Sequence, residues 1–190
     1  RFENDFVDIF KEVCSRGSFI LQKDLEDFEH DLCKFLNVKH AFGVADGTNA
    51  MVLGLMASGI NPQDEIIIAS HTYIATAAAI KAVNAIPVFA DIGNDGMMLA
   101  TSAEKAITNK TVAVMPTQLN GRCCDMDKIN AIAKKNNLKV FEDSAQGLGA
   151  KFDDKSAGTF GMFGTFSFYP AKLLGCFGDG GAVVTNVDEI

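Results

Sequence analysis

One lysine, Lys172, has a sequence context that suits chemistry. An aromatic run ending in a proline, residues 166–170, precedes it, and a glycine-rich turn, residues 178–181, follows it. A lysine held in apolar surroundings has its charged form disfavoured, so that its amine can act as a nucleophile or form a Schiff base. Most lysines are solvated surface charges, so the other residues have to decide between the two interpretations.

Two adjacent carboxylates, Glu142 and Asp143, follow a short apolar stretch that is typical of a strand. A buried carboxylate needs a cationic partner. A protonated pyridine nitrogen would serve, as it does beside an aspartate in pyridoxal phosphate enzymes, and a metal ion, lysine or arginine are the alternatives. Gln146 could reach the same ligand, and Tyr73 could offer its face to an aromatic ring or simply be a packed, half-buried tyrosine.

A turn of small residues, 45–49, lies between a predicted strand and a predicted helix and contains Gly47 and Thr48. Free backbone N–H groups and the helix dipole favour an anion such as phosphate at this place. The alternative is a plain N-cap, in which Thr48 or Asn49 satisfies the free donors. A Walker loop and a G-x-G-x-x-G motif are absent, so a dinucleotide site is poorly supported. Ser167 and Lys172 lack the S-x-x-K spacing of a Ser/Lys hydrolase.

These residues fall at the ends of short strands that alternate with helices of about ten residues. Such alternation predicts an α/β fold with a mainly parallel sheet between helices on both faces. Ligands of such sheets bind beyond the carboxyl ends of the strands, so we expect the strand-end residues on one edge. His71, Asp91 and Gln118 also end strands. The strands are predicted at residues 41–45, 66–69, 87–90, 111–115, 139–141, 163–168 and 182–185.

The first residues of the chain predict two helices over residues 2–36. Apolar residues such as Phe6, Ile9, Phe10 and Phe35 recur there at helical spacing, and we expect them to pack into the core. We divide the chain into an N-terminal helical segment, residues 1–40, and a ligand-binding large domain, residues 41–190.

Composition excludes several function classes for the 190-residue chain. Its net charge of −7 gives no support for binding nucleic acid or an anionic membrane. No apolar run reaches the roughly 20 residues that span a bilayer. The five cysteines show no metal-binding spacing, so no metal site is predicted, and they suit free thiols in a reducing cytoplasm.

The assembled motifs resemble those of the DegT/DnrJ/EryC1/StrS family, which are fold-type I, pyridoxal-phosphate-dependent nucleotide-sugar aminotransferases. The resemblance implies that Lys172 forms the Schiff base with the cofactor and later moves a proton, and that Asp143 keeps the pyridine nitrogen protonated. It places Gln146 near the ring hydroxyl and Tyr73 against the ring. The motifs cover residues 45–50, 70–76, 142–150, 166–172 and 178–181.

The same resemblance implies that Gly47, Thr48 and Ser167 bind the cofactor phosphate. The implied reaction moves an amino group, usually from glutamate, to a keto-sugar nucleotide for amino-sugar or surface-glycan synthesis, in a homodimer. Family chains are about twice this length, so the C-terminal small domain is absent here and the chain is expected to be a fragment or a truncated product. Leu173 stands where the family usually has Asn, and residues 117–121 depart from the common Val-His-Leu-Tyr-Gly.

Two other functions stay open at this point. A pyridoxal phosphate sugar dehydratase of the same family usually has His in place of the lysine, so Lys172 argues against it. The second is a large-domain remnant without catalytic activity that acts as a binding module.

Overall fold

The computed structural model describes residues 2–190, and its centre is a seven-stranded sheet with the order β1-β9-β8-β5-β4-β2-β3. The strands are β1 (His40–Val44), β2 (Glu65–Ala69), β3 (Ile86–Ala90), β4 (Thr111–Met115), β5 (Lys139–Asp143), β6 (Lys151–Phe152), β7 (Lys155–Ser156), β8 (Phe163–Ser167) and β9 (Gly181–Thr185). The helices are α1 (Glu3–Arg16), α2 (Lys23–Leu36), α3 (Gly47–Ala57), α4 (Ile74–Ala82), α5 (Ala100–Lys105) and α6 (Met126–Lys135).

The sheet is mainly parallel, as the sequence predicts. Strand β9 runs antiparallel to both of its neighbours, β1 and β8. The pairs β8–β5, β5–β4, β4–β2 and β2–β3 are all parallel. The carboxyl ends of β2, β4, β5 and β8 therefore meet at one edge, where the predicted site residues lie.

Apolar clusters fill both faces of the sheet. Ile66 and Ile68 of β2 pack with α3 and α4 on one face, whereas Ile67 packs with α5 and α6 on the other. Successive side chains of a strand point to opposite faces, so a continuous apolar run such as this one is buried on both. On the α3 side, the stacked rings of Phe141 and Phe163, 4.6 Å apart, join β5 to β8.

The two N-terminal helices differ in how they contact this core. Helix α2 buries Leu32 and Leu36 in a third apolar cluster with β1, β8 and β9. None of the residues of α1, all of which the structure describes, is buried. The expectation that its apolar residues join the core is therefore wrong, since Phe6 and Phe10 are 50% and 69% exposed. The division at residue 40 stays a prediction.

Two elements were not in the predicted set. Helix α5 has only six residues, which is too short for a clear apolar period. The β6–β7 hairpin turns at Asp153 and Asp154, both with positive φ. The usual sequence signal for such a turn is Asn-Gly or Asp-Gly, so an Asp-Asp turn gives little warning of a hairpin.

Glu142 connects two loops behind the site, the one between β4 and α6 and the one between β7 and β8. Its side chain is fully buried and accepts hydrogen bonds from Gln118 Nε2 at 2.7 Å and from the backbone N–H groups of Gly158, Phe160 and Gly161 at 2.8, 2.5 and 3.2 Å. Gln118 in turn accepts from the N–H of Cys124 at 2.7 Å. Burial raises the pKa of Glu142, and these four donors act in the opposite direction.

The expectation of a cationic partner is therefore wrong for Glu142, since neutral donors satisfy both of its oxygens. The expectation that Gln118 belongs to the site is wrong for the same reason, because its side chain is engaged with Glu142 and Cys124.

Replacing Glu142 by Gln should destabilise the fold. One oxygen becomes an NH2 group that faces N–H donors, and leaving buried donors unpaired costs about 1–3 kcal/mol. Glu104→Gln is the control, because Glu104 forms an exposed ion pair with Lys135 and should change stability by less than about 1 kcal/mol. Urea unfolding of both variants measures the difference. Equal stability of the two would contradict this account of Glu142.

Candidate active site

A cavity of about 410 Å³ opens at the carboxyl edge of the sheet. It lies at the N-termini of α3 and α4 and at the ends of β5 and β8, which is where ligands of such sheets bind. The structure brings all seven predicted site residues to its wall, although their roles toward a ligand stay predictions. They are Gly47, Thr48, Tyr73, Asp143, Gln146, Ser167 and Lys172.

Helix α3 points its N-terminus into this cavity. Its N-cap is Asp46, which accepts from the N–H of Asn49 at 2.8 Å, so the alternative of a Thr48 or Asn49 cap is wrong. Within the described residues, the N–H groups of Gly47 and Thr48 have no hydrogen-bond acceptor, and they are among the N–H groups that an α-helix leaves free at its N-terminus. These two amides at the positive end of the helix dipole form an anion site.

Close backbone approaches place Ser167 beside these amides. A Cβ on Gly47 would lie 2.8 Å from Ser167 Cβ, and one on Gly181 would lie 2.4 Å from the carbonyl carbon of Asp46. Glycine is therefore required at both positions to seat α3 against β8 and β9. Among residues 2–190, the Ser167 hydroxyl has a single long contact, 3.4 Å from the Tyr169 N–H, and is available to donate to an anion.

Asp143 supplies a buried carboxylate at the floor of the cavity. Only 3% of its surface is exposed, and it accepts from Thr76 Oγ1 at 2.6 Å and from the Ala145 N–H at 3.2 Å. Burial raises the pKa of Asp143, while these hydrogen bonds and the positive charge of Lys172 act to lower it. No ion pair to Asp143 is formed among residues 2–190. Its free lone pairs suit a protonated ring nitrogen.

Lys172 lies in the loop after β8 and is half-buried. The apolar surroundings expected for it are only partly present, because its neighbours Leu173 and Phe177 are 87% and 89% exposed. Phe177 contacts the ring of Phe6 from α1, with their centroids 5.1 Å apart. The lysine therefore faces the cavity from a loop whose apolar side chains largely face outward.

The side chains of Tyr73 and Gln146 complete the wall of the cavity. Tyr73 is 69% exposed, so its ring is available to stack on a planar ligand. Gln146 accepts from the N–H of Asn120 at 3.2 Å, which leaves its NH2 group free to donate.

Some strand-end residues lie on this edge, as predicted, but do not line the cavity. His71 is exposed and its Nδ1 is 3.1 Å from the carbonyl of Gly96, and Asp91 contacts Ser102. In contrast, Asp179 and Thr117 line the cavity although neither was chosen as a site residue. Thr117 follows a predicted strand, which is the one signal that could have found it.

The cavity residues therefore form two ends of one site. Two amides and a hydroxyl suit a phosphate, and a buried carboxylate beside a lysine suits a cationic ring with a reactive carbonyl carbon. These donor and acceptor types fit pyridoxal phosphate.

Comparison with known proteins also points to an aminotransferase site. The model of the DegT/DnrJ/EryC1/StrS aminotransferase family matches residues 1–190. The chain belongs to this family. The predicted resemblance is therefore confirmed, and so is the fold of the large domain.

Several curated relatives are named as sugar aminotransferases. The chain is 41% identical over 186 residues to the dTDP-3-amino-3,4,6-trideoxy-alpha-D-glucose transaminase of Micromonospora megalomicea subsp. nigra, covering 97% of this chain and 50% of the relative. The chain therefore spans about half the length of that relative.

Two solved structures have the same fold as this chain. DesV of S. venezuelae superposes with a TM-score of 0.95 at 39% identity, over 99% of this chain and 51% of DesV. NtdA of Bacillus subtilis, whose structure holds the bound cofactor PMP, has a TM-score of 0.92 at 34% identity, over 98% of this chain and 42% of NtdA. Within residues 2–190, no helix has the length and apolarity to cross a membrane.

Replacing Ser167 by Ala should weaken the affinity for pyridoxal phosphate at least about tenfold, because a hydrogen bond to a charged group contributes about 1.5–3 kcal/mol. The affinity for pyridoxal, which lacks the phosphate, should stay the same. Fluorescence titration with both ligands measures this.

The matched control is Ser58→Ala, which removes a buried hydroxyl without a hydrogen-bond partner at the opposite end of α3. An equal loss of affinity for both ligands in Ser167→Ala would show that Ser167 does not bind the phosphate.

Proposed function

We propose that this chain is the cofactor-binding half of a pyridoxal-phosphate-dependent aminotransferase. It transfers an amino group, with glutamate as the donor, to a keto-sugar nucleotide in amino-sugar biosynthesis. Support comes from the family and from relatives that are named as transaminases of nucleotide-linked sugars.

The observation that carries the proposal is the buried Asp143 carboxylate in a cavity that also holds Lys172. A carboxylate out of water is costly unless a positive charge meets it. The described chain offers only the longer-range field of Lys172. A protonated pyridine nitrogen would complete the pairing and explain why an aspartate occupies this position.

Each residue then has one task. When bound, pyridoxal phosphate supplies an aldehyde carbon that bonds to amines and a ring that withdraws electrons. Lys172 would hold that carbon through its Nζ and would also move a proton to and from the reacting carbon. Asp143 holds the proton on the ring nitrogen, and Gln146 donates to the ring hydroxyl. Tyr73 covers one ring face and so excludes water from it.

The phosphate end fixes the position of the ring. Gly47 and Thr48 donate their N–H groups, and Ser167 its hydroxyl, to the phosphate oxygens. The glycine contacts seat α3 closely against β8 and β9, so the phosphate-binding end would be fixed relative to Asp143.

We propose in addition that the protein works as a homodimer in the cytoplasm. Large apolar side chains on α1 and on the lysine loop, such as Phe10, Leu173 and Phe177, are exposed in the single chain and suit burial against a second copy. Its five cysteines, including the buried Cys124, are free thiols, as is usual in a reducing compartment.

Lys172→Ala tests the proposed reaction. The unchanged protein with pyridoxal phosphate, glutamate and a panel of keto-sugar nucleotides should release 2-oxoglutarate and yield an aminated sugar nucleotide, both measured by mass spectrometry. The variant should lose at least about 1,000-fold in rate, because the lysine is both the covalent attachment and the proton carrier.

Lys151→Ala is the control, since Lys151 is an exposed lysine on β6. Cofactor binding without any turnover by the complete gene product would favour the non-catalytic remnant instead.

Asp143 should make cofactor binding sensitive to acid. Its raised pKa means that the carboxyl is protonated at a higher pH than an ordinary aspartate. The ionised form pairs with the ring cation, so affinity should be full above this pKa and fall as the pH is lowered through it. Asp143→Asn should bind more weakly and lack this acid limb.

Asp91→Asn is the control, because it removes a carboxylate at the end of β3 that lies outside the cavity. Titrations with pyridoxal phosphate between pH 4 and 8 measure the curves. An unchanged acid limb in Asp143→Asn would contradict the assignment.

A further inference from the structure

Three threonine hydroxyls form an unbroken chain that ends on Asp143. Thr117 Oγ1 lies 2.9 Å from Thr72 Oγ1, and Thr72 Oγ1 lies 2.6 Å from Thr76 Oγ1. Thr76 Oγ1 lies 2.6 Å from Asp143 Oδ2. The three residues come from the end of β4, the turn before α4 and the first turn of α4, so the chain crosses the floor of the cavity.

Each threonine hydroxyl has one proton to donate, and this fixes which group is the donor in each of these hydrogen bonds. Thr76 has a single hydroxyl proton, and its candidate acceptors are the Asp143 carboxylate at 2.6 Å and the carbonyl of Tyr73 at 3.1 Å. The shorter bond to the charged acceptor takes the proton. Thr76 then has to accept from Thr72, and Thr72 from Thr117. Every O–H dipole therefore points toward the carboxylate.

Both ends of this series of hydroxyls are shielded from water, whereas Thr72 in its middle is partly exposed. Thr76 is fully buried, and Thr117 and Asp143 are 5% and 3% exposed. In such a low-dielectric place aligned hydrogen bonds polarise one another, so that a distant donor strengthens the last bond. The Thr117 hydroxyl can therefore stabilise the charge on Asp143 although the two groups are not in contact.

We propose that Thr117, Thr72 and Thr76 are positioning residues that together keep Asp143 ionised and fix its orientation toward the ring nitrogen of the cofactor. The last part of this inference rests on the proposed function. The effect of the hydroxyls on the carboxylate itself does not, and it is measurable without any cofactor.

In the described chain, the charged groups around Asp143 do not pair with its carboxylate, so the hydroxyls have to stabilise its ionised form. Helix α4 and the end of β4 present threonines to it, and the loop after β8 presents Lys172, which is half-buried. Asp46 and Asp179 line the same cavity and add negative charge. Glu142, the preceding residue, accepts hydrogen bonds from donors of two loops.

The test uses the full 190-residue chain without added cofactor. Its aspartates carry 13C in the carboxyl group, and Asp143→Asn assigns the Asp143 signal. NMR titration then gives the pKa of Asp143 directly. Thr76→Val should raise this pKa by about one unit, since it removes a hydrogen bond to the charged form. Thr117→Val removes a hydroxyl that does not contact Asp143 and should raise the pKa of Asp143 by about 0.1–0.3 unit through the linked hydroxyls.

Two variants separate positioning from packing. Thr117→Ser keeps the hydroxyl and should restore the original pKa. Thr185→Val removes a buried threonine hydroxyl on β9, which bonds to the carbonyl of Met162, and should leave the pKa of Asp143 unchanged even if it lowers the melting temperature.

The outcomes are separable from those of the proposed function. A pKa in Thr117→Val that equals that of the unchanged chain would overturn the proposal, because 10–30% of the roughly one-unit effect expected for Thr76→Val is about 0.1–0.3 unit. A raised pKa that Thr117→Ser does not restore would also overturn it. A chain that shows the predicted shifts but fails to bind pyridoxal phosphate would refute only the proposed cofactor.

Discussion

The site depends on one costly feature, a carboxylate held out of water in the absence of a bonded cation. Asp143 ends β5 in the middle of the parallel sheet, where strands on both sides bury it. Burial alone favours its neutral form, so the fold has to supply compensating dipoles and a place for a cation. Thr76 and the Ala145 N–H supply the dipoles, and the open side of the carboxylate faces the cavity and Lys172. The anion site at the N-terminus of α3 then sets where the other end of a ligand can lie.

Much of this arrangement could be predicted from the sequence, because parallel sheets impose strong rules. The continuous apolar run of residues 66–69 marks a strand that is buried on both faces, and the structure confirms it. Once the strands are placed in βαβ units, their carboxyl ends must share an edge. That rule predicts from the sequence that Gly47 and Asp143 lie on one edge, and the structure places both in the wall of the cavity. The four family motifs added the cofactor and the role of Lys172.

The features that the sequence did not predict depend on which way a side chain points and on which surface a helix has to cover. Gln118 follows β4 next to Thr117, yet it turns to Glu142 while Thr117 faces the cavity, and no spacing rule distinguishes two neighbours beyond the end of a strand. Asp46 caps α3, but Thr48 and Asn49 close by are also residue types that cap helices, so the sequence does not decide among them. Helix α1 has the apolar period of a core helix, but the described chain offers it little surface to cover.

A crystal structure of the chain with bound pyridoxal phosphate tests the central claim most directly. The account predicts a ring nitrogen within hydrogen-bond distance of an Asp143 oxygen, and phosphate oxygens on the N–H groups of Gly47 and Thr48. It also predicts continuous density from Lys172 Nζ to the aldehyde carbon. A cofactor bound with its phosphate away from the N-terminus of α3, or with its ring nitrogen facing a group other than Asp143, would contradict it.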